Sequence, residues 1–166
     1  MKLNFRYIKI ASLIFLIFFI IGFIGTYIYC NRIEFDNAIG DQLVINKIYF
    51  SEIIIRNLTV CVIAILGIIT FKISSILVLI INAVILSFIL SANYVTTGEL
   101  WYFIRIVIPH AIFEIPAIVI SSSIGFEGFS YFKDYSFKEK ISNLFLIIGL
   151  LIVAAFVEVN ISTLFV

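Results

Sequence analysis

Long apolar runs separated by short groups of charged residues are the feature that most constrains the fold of this chain. A helix needs roughly 20 apolar residues to cross the hydrocarbon core of a bilayer. Five runs approach that length, at residues 10–29, 54–71, 73–94, 109–126 and 141–164. Backbone hydrogen bonds must be satisfied internally in lipid, so each run predicts a transmembrane helix. The chain is therefore predicted to form an all-α polytopic membrane helix bundle, with residues 1–166 as a single integral membrane domain.

The composition excludes several other classes of protein. Hydrophobic residues make up 63% of the chain and charged residues 13%, with a mean hydropathy of +1.23, whereas about a quarter of the residues in a soluble domain are charged. A net charge of +1 gives no reason to expect nucleic acid as a partner. The single histidine excludes a multi-histidine metal site, and no cofactor is expected. Cys30 and Cys61 are interpreted as ordinary thiols.

The boundaries of the runs carry local signals. The first run is interpreted as a retained anchor, because it is long and no small-residue cleavage pattern follows it. Lys72 and two serines are the only polar break between the second and third runs, which predicts a tight antiparallel helical hairpin. The fourth helix is predicted to begin at Pro109, in its first turn. Ser136 and Glu139 have the spacing of a capping box before the fifth.

Two further segments are predicted to lie at the membrane surface. Residues 31–50 mix charges with apolar residues at roughly helical spacing, which favours a helix on the outer surface. Residues 98–108 carry Trp101, Tyr102 and Arg105, the aromatic and basic side chains typical of a membrane interface. We expect this second segment to lie flat or to enter the membrane as a half-helix.

The distribution of lysine and arginine predicts the orientation of the bundle. With a cytoplasmic N-terminus, seven of the eleven basic residues are cytoplasmic, which agrees with the positive-inside rule. Five spans then place the C-terminus outside the cytoplasm. The expected location is the cell membrane.

Ionisable and amide side chains inside the apolar runs are the candidate functional residues. His110 and Glu114 are four residues apart, so on a helix they share one face with a rise of about 6 Å. In the predicted topology Glu158 and Asn57 lie in the same outer half of the membrane, and Asn82 is nearer its middle. Groups of this kind are costly in lipid and are expected to form one network between helices.

Two interpretations of this polar set remain open. Asparagines between membrane helices often serve only as structural contacts worth about 0.6 kcal/mol each. For His110, Glu114 and Glu158 we favour a functional role, because carboxylates are poor structural contacts when charged. A zinc site is a weaker alternative, since the protease signature of two histidines around a glutamate is absent. Pro109, Pro116 and Gly125 are interpreted as residues that shape the helix.

The Pro-His-x-x-x-Glu-x-Pro-Ala pattern that begins at Pro109, followed by small residues up to Gly125, resembles the stage II sporulation protein M family. Asn57, Gly67, Asn82 and a terminal Ala-Ala-x-x-Glu element ending at Glu158 occur in the order expected for that family. Ala111 stands where the family usually has glycine. The resemblance implies a multi-pass membrane protein without established catalysis.

Two roles follow from this resemblance. The leading hypothesis is a non-enzymatic component that assembles with other membrane or cell-envelope proteins, as the sporulation member does in engulfment. The competing hypothesis is transport, maturation or immunity for a circular bacteriocin, or proton-coupled export, with a small peptide as cargo. An intramembrane hydrolase is a third, weaker alternative. The lipid bilayer is a partner in every case, and self-association is compatible with each.

Cysteine labelling in intact cells tests the predicted orientation. In a background lacking Cys30 and Cys61, a cysteine replacing Asn37 should react with an impermeant thiol reagent, whereas one replacing Tyr135 should be protected. The opposite pattern would invert the topology.

Overall fold

The computed structural model describes residues 3–32, 50–98 and 100–160, and in this part of the chain all regular structure is helical. Residues 33–49, most of the predicted outer-surface helix, lie outside the described residues. A short 3-10 turn, Leu66–Ile68, continues the second helix. The six α-helices are α1 (Phe5–Arg32), α2 (Phe50–Ile65), α3 (Ile73–Thr97), α4 (Leu100–Glu127), α5 (Ser130–Asp134) and α6 (Phe137–Asn160).

Four helical segments in the described part of the chain are long and apolar enough to cross a membrane. They correspond to the first, second, third and fifth apolar runs. The fourth run lies in α4, which packs among the other helices. The prediction of an all-α membrane helix bundle is confirmed. The four segments are Phe5–Arg32, Phe50–Ile68, Ile73–Val95 and Phe137–Asn160.

The predicted hairpin between α2 and α3 is confirmed, and its turn is tight. The Lys72 amide donates a hydrogen bond of 2.8 Å to the carbonyl of Gly67. Phe71 and Lys72 have φ values of 51° and 73°, the left-handed region that is unfavourable for residues with a side chain. Beyond the turn, the Ser75 hydroxyl donates a buried hydrogen bond of 2.7 Å to the carbonyl of Ala64, which joins α3 to α2.

The prediction that the fourth helix begins at Pro109 is wrong. α4 begins at Leu100, two residues after Gly98, which ends α3 in the left-handed conformation with φ 69°. Residues 100–108 are therefore the first turns of a long helix rather than a separate interfacial segment. Pro109 and Pro116 both lie inside α4. Each removes the amide that would bond the carbonyl four residues earlier, a loss that membrane helices tolerate where neighbouring groups compensate.

The C-terminal half of α4 is the centre of the bundle. Every residue from 117 to 127 is buried, which requires neighbours on all sides of the helix. α1, α2, α3 and α6 supply them. Small side chains such as Ala117, three consecutive serines and Gly125 make this packing feasible, because they let helix backbones approach closely.

Gly67, Ser75 and Gly125 bring α2, α3 and α4 together at one level. A Cβ atom built on Gly125 would overlap the Ser75 hydroxyl and the Ala64 carbonyl, and would lie 3.3 Å from the Cα atom of Gly67. A Cβ atom on Gly67 would overlap the same hydroxyl and lie 3.2 Å from the Cα atom of Gly125. The predicted helix-shaping role of Gly125 thus has a steric basis in this structure.

The remaining helices lie around this centre. α1 packs mainly on α3 and exposes most of its apolar side chains, as expected for a lipid-facing helix. α6 begins with the predicted capping box, which is confirmed. The Ser136 amide and hydroxyl donate to the Glu139 carboxylate at 2.8 and 2.9 Å, and the Glu139 amide donates to the Ser136 hydroxyl at 3.3 Å.

Substituting Gly125 with alanine should destabilise the bundle, because the added methyl group meets backbone that cannot move away. We expect a loss of about 1–3 kcal/mol, the usual cost of overpacking. Gly149→Ala in α6 is the matched control, since a Cβ atom there has nothing within 4 Å and alanine favours a helix by up to about 1 kcal/mol. Thermal unfolding in detergent would measure both, and equal melting temperatures would contradict the steric argument.

Candidate functional site

A cavity of about 400 Å³ lies between α2, α3 and α4, with Phe15 of α1 on one wall. Most of its lining is aliphatic, and its polar lining residues are Arg56, Asn57, Asn82 and Glu114. We call this space the arginine cavity. A largely apolar cavity with a few convergent polar groups is the usual form of a binding site for a small molecule or a chain segment.

The arginine cavity brings together three of the residues that the sequence singled out. Asn57 is ten residues before Gly67, and Ile115 is ten before Gly125, so both lie about 15 Å along their helices from the level where those glycines meet. Glu114 is next to Ile115 and therefore lies at nearly the same depth as Asn57. The two side chains face the same space from α2 and α4.

Asn57 is the most deeply buried polar residue of the cavity. Its side chain is 3% exposed, and its Nδ2 atom has no hydrogen-bond partner among the described residues. Leaving a buried donor unsatisfied costs about 1–3 kcal/mol, and most buried polar atoms in proteins have a partner. The Nδ2 atom is itself buried, so it faces packed protein and not the open space of the cavity.

Glu114 is the acidic residue that lines the arginine cavity, and its side chain is partly buried. Arg56 lines the same cavity from α2 and is exposed. Glu158 lies in α6, which packs against α4, and it does not line the cavity.

Asn82 differs from Asn57 because its amide is already engaged. Its Nδ2 atom donates a hydrogen bond of 2.8 Å to the carbonyl of Val78, one turn earlier in α3. Asn82 also lines the cavity, from α3.

His110 lies one turn before Glu114 in α4, and its side chain is outside the described residues. The next residue, Ala111, lines the arginine cavity.

Pro109 is partly buried and Pro116 is exposed. In the described part of the chain, no three His, Cys, Asp or Glu side chains form a group that could hold a metal ion. Cys30 and Cys61 are both buried, and they form no disulfide with each other.

A second polar group, which the sequence did not reveal, lies at the C-terminal end of α4. We call it the tyrosine cluster; it consists of Glu127, Tyr131, Tyr135 and Asn143. The Tyr135 hydroxyl donates a hydrogen bond of 2.9 Å to Glu127 Oε1. Asn143 Nδ2 donates a longer bond of 3.4 Å to the Tyr131 hydroxyl, and the two tyrosine rings lie 4.8 Å apart. The cluster ties α4, α5 and α6 together.

Little in the sequence pointed to the tyrosine cluster. Glu127 and the tyrosines sit among charged residues between two apolar runs, where such side chains are normally solvated. The available signal was Asn143, a polar residue on the same helical face as Ile147 and Leu151, four and eight residues later. All three are almost completely buried.

Burial raises the pKa of both tyrosines in the cluster. For Tyr131 the largest cause is desolvation, which the hydrogen bond from Asn143 partly opposes. For Tyr135 desolvation again comes first, and the hydrogen bond and negative charge of Glu127 raise the pKa further. Both phenols are therefore held in the protonated form.

The burial of Tyr135 also affects the cysteine-labelling test of the predicted orientation. Because Tyr135 is only 7% exposed, the cysteine is better placed at the nearby exposed residue Phe137.

Comparison with known proteins places these features in a family context. The sequence model of a family described as stage II sporulation protein M matches residues 11–163. An uncharacterized protein of Methanocaldococcus jannaschii is 30% identical over 121 residues, which cover 72% of this chain and 68% of that protein. No solved structure matches the chain. The matched range includes the whole arginine cavity and the whole tyrosine cluster.

Replacing Tyr135 with phenylalanine should destabilise the protein near neutral pH by about 1–2 kcal/mol, because a buried hydrogen bond is lost. The raised pKa of Tyr135 in the folded protein stabilises the fold in full below pH 10 or so, because about 10 is the pKa of tyrosine in an unfolded chain. This stabilisation is lost as the pH rises above that value. The wild-type protein should therefore lose stability between pH 8 and 10.5 more steeply than Tyr135→Phe.

Thermal unfolding at both pH values measures this difference, with Tyr29→Phe, an exposed tyrosine of α1, as the control. A gap between wild type and Tyr135→Phe that is the same at both pH values would show that ionisation of Tyr135 is not linked to folding.

Proposed function

Because the chain belongs to the stage II sporulation protein M family, we propose that it is a non-enzymatic, sporulation-type membrane component that assembles with other membrane or cell-envelope proteins. In this proposal the arginine cavity organises the face of the bundle that partners recognise. The observation that carries the proposal is the grouping of Arg56, Asn57, Asn82 and Glu114 around one space inside the bundle.

The chemistry of these groups supports a binding role. Arg56 carries a guanidinium group, Asn57 and Asn82 carry amides, and Glu114 carries a carboxyl group. A charged side chain in a membrane segment costs at least a few kcal/mol and is most often associated with a functional site. Structural contacts between helices need no arginine or glutamate, since serine and asparagine serve that purpose at lower cost.

The proposed location is the cell membrane, with a cytoplasmic N-terminus and an extracytoplasmic C-terminus. In this orientation the tyrosine cluster lies on the cytoplasmic side, close to Lys133, Lys138 and Lys140. The arginine cavity then lies in the outer half of the membrane, where it is accessible to partners in the envelope.

One observation favours the competing role in circular bacteriocin transport, maturation or immunity, or in proton-coupled export. Glu114 lines a cavity, and its carboxyl group also interacts electrostatically with that of Glu158. Two interacting carboxyl groups exchange protons as a coupled pair, which is the chemistry of proton-driven transport. The neighbouring genes discriminate between the roles: a gene for a peptide precursor would favour transport, and genes for peptidoglycan hydrolases would favour assembly.

Glu114→Gln should leave the amount of protein in the membrane nearly normal but abolish its activity and its co-purification with partners. The amide keeps the shape and hydrogen-bonding capacity of the side chain while removing the charge. Glu158→Gln should behave in the same way, and Glu52→Gln, at an exposed position in the first turn of α2, is the control. Immunoblots of membranes and cross-linked pull-downs from cells provide the measurements. Normal activity of both cavity variants would favour purely structural contacts.

The double variant Glu114→Gln/Glu158→Gln tests whether the two carboxyl groups form one site. If they do, its loss of activity in free-energy terms should be smaller than the sum of the two single losses, since the first change already disables the site. Strict additivity of the losses would identify two independent residues instead.

A further inference from the structure

A groove lies between α1 and α3 at the end of the bundle that carries the hairpin between α2 and α3. Its volume is about 140 Å³, several times the ~30 Å³ that one water molecule takes up in the liquid. We call it the lysine groove. Its lining residues are Tyr7, Ile10 and Ile14 of α1, Lys72 just before α3, Ile76 of α3 and Phe126 of α4.

The apolar walls of the lysine groove open toward lipid. Ile10 is 39% exposed and Ile76 is 37% exposed, and both belong to helical segments long and apolar enough to cross a membrane. Phe126, in contrast, is 3% exposed, so it closes the groove on the side of the bundle centre. Ile10 and Ile14 lie four residues apart and share one face of α1. The groove therefore runs along α1 and has a form that accommodates part of a hydrocarbon chain.

Lys72 holds a positive charge at the end of this groove. Its backbone is fixed in the hairpin turn, where its amide donates a hydrogen bond of 2.8 Å to the carbonyl of Gly67. Its side chain is exposed, and its Nζ atom lies 5.7 Å from the centre of the Tyr7 ring. That distance is within the range of a cation–π interaction, which connects the lysine side chain to α1. The ammonium group is thus both accessible and held beside the apolar walls.

The charges around the lysine groove are positive. Among the described residues that line it, Lys72 carries a charge and none is acidic. Arg6 and Lys9 in the first turns of α1 are both exposed. Glu127, at the end of α4, is 9% exposed, and its carboxyl group accepts the hydrogen bond from Tyr135 in the tyrosine cluster. An anionic group beside Lys72 is therefore attracted, with no carboxylate in the described lining to repel it.

We propose that the lysine groove binds an anionic membrane phospholipid, such as phosphatidylglycerol. The ammonium group of Lys72 donates hydrogen bonds to the phosphate, and the Tyr7 hydroxyl is a further donor in the same lining. The first part of one hydrocarbon chain lies in the groove against Ile10, Ile14 and Ile76. The rest of the lipid stays in the bilayer beside α1 and α3.

Net charge selects this class of lipid. In phosphatidylglycerol no cation within the headgroup offsets the phosphate, so the whole negative charge attracts Lys72. In phosphatidylethanolamine and phosphatidylcholine, the cation of the headgroup offsets the phosphate and is itself repelled by the lysine. In the proposed orientation the groove lies at the cytoplasmic leaflet, whose anionic lipids attract basic side chains near the membrane surface.

The lysine groove is separate from the arginine cavity, so this inference does not rest on the proposed function. The two share no lining residue among the described part of the chain. Phe126 and Glu114 are twelve residues apart in α4, or about 18 Å along the helix. Lipid selectivity is measured on the purified chain, whereas the assembly role is measured by co-purification from cells.

The test is native mass spectrometry of the full-length protein in detergent, after exchange with equimolar phosphatidylglycerol, phosphatidylethanolamine and phosphatidylcholine. We expect one molecule of phosphatidylglycerol to be retained about fivefold more than either competitor, the effect of one lysine beside an anionic lipid surface. Equal retention of the three lipids by the wild-type protein overturns the proposal. This measurement requires no variant.

Charge variants then locate the headgroup. Lys72→Gln should lose the preference for phosphatidylglycerol, because glutamine removes the charge while the left-handed turn still holds a residue with a side chain. Lys72→Arg keeps the charge and should retain the preference. Lys133→Gln is the matched control, since Lys133 is an exposed lysine of α5 outside the groove. An unchanged preference in Lys72→Gln, or an equal loss in Lys133→Gln, contradicts the proposed site.

A second pair of variants locates the hydrocarbon chain. Ile76→Trp places a larger side chain in the groove and should lower the retention of phosphatidylglycerol severalfold. Leu77→Trp is its control, because Leu77 is 51% exposed on the same helix and does not line the groove. Equal retention by these two variants would show that no chain occupies the groove.

A final comparison identifies the source of the ligand. Soluble glycerophosphoglycerol has the same headgroup without hydrocarbon chains, so it should not displace the bound lipid even at millimolar concentration. Efficient displacement by this compound would show that the groove takes a water-soluble phosphate ester, and would overturn the assignment to a membrane lipid.

Discussion

The close approach of α2, α3 and α4 at Gly67, Ser75 and Gly125 is the contact on which the rest of the bundle depends. At that level the backbones nearly touch, because two glycines and a serine leave nothing larger between them. About 15 Å further along α2 and α4, Asn57 and Glu114 stand at the corresponding level, and both line the arginine cavity. The close contact and the cavity therefore lie at different levels between the same three helices.

The two polar groups of the structure lie at different positions along α4 and serve different purposes. Glu114 and Glu127 are thirteen residues apart, or about 20 Å along the helix. In the tyrosine cluster, the hydrogen bonds from Tyr135 to Glu127 and from Asn143 to Tyr131 join protein groups to one another, which favours a fixed junction between α4, α5 and α6. In the arginine cavity the polar side chains come from three helices and surround an open space. One group therefore joins helices, and the other lines a cavity.

Much of the fold could be predicted because lipid imposes simple rules on a sequence. Apolar runs located the helices, Lys72 located the hairpin, and Ser136 with Glu139 located the start of α6. The family resemblance, carried by a short motif around Pro109, is confirmed by the match over residues 11–163. The start of α4 was misplaced because proline is favoured in a first turn but is also tolerated inside a membrane helix. Arg56 and the tyrosine cluster were not recognised as site residues, since basic and aromatic side chains near the ends of apolar runs are usually interfacial.

The two prolines of α4 give that helix unequal stiffness along its length. Pro109 and Pro116 are seven residues apart, about two turns, so the missing backbone hydrogen bonds fall on one side of the helix. The part of α4 from residue 117 to residue 127 contains no proline, and all of its residues are buried against neighbouring helices. α4 is thus held by its neighbours at its C-terminal end, and it lacks two backbone hydrogen bonds nearer its N-terminal end. Bending of α4 is therefore expected before residue 117, in the part of the helix from which Val107, Ala111 and Glu114 line the arginine cavity.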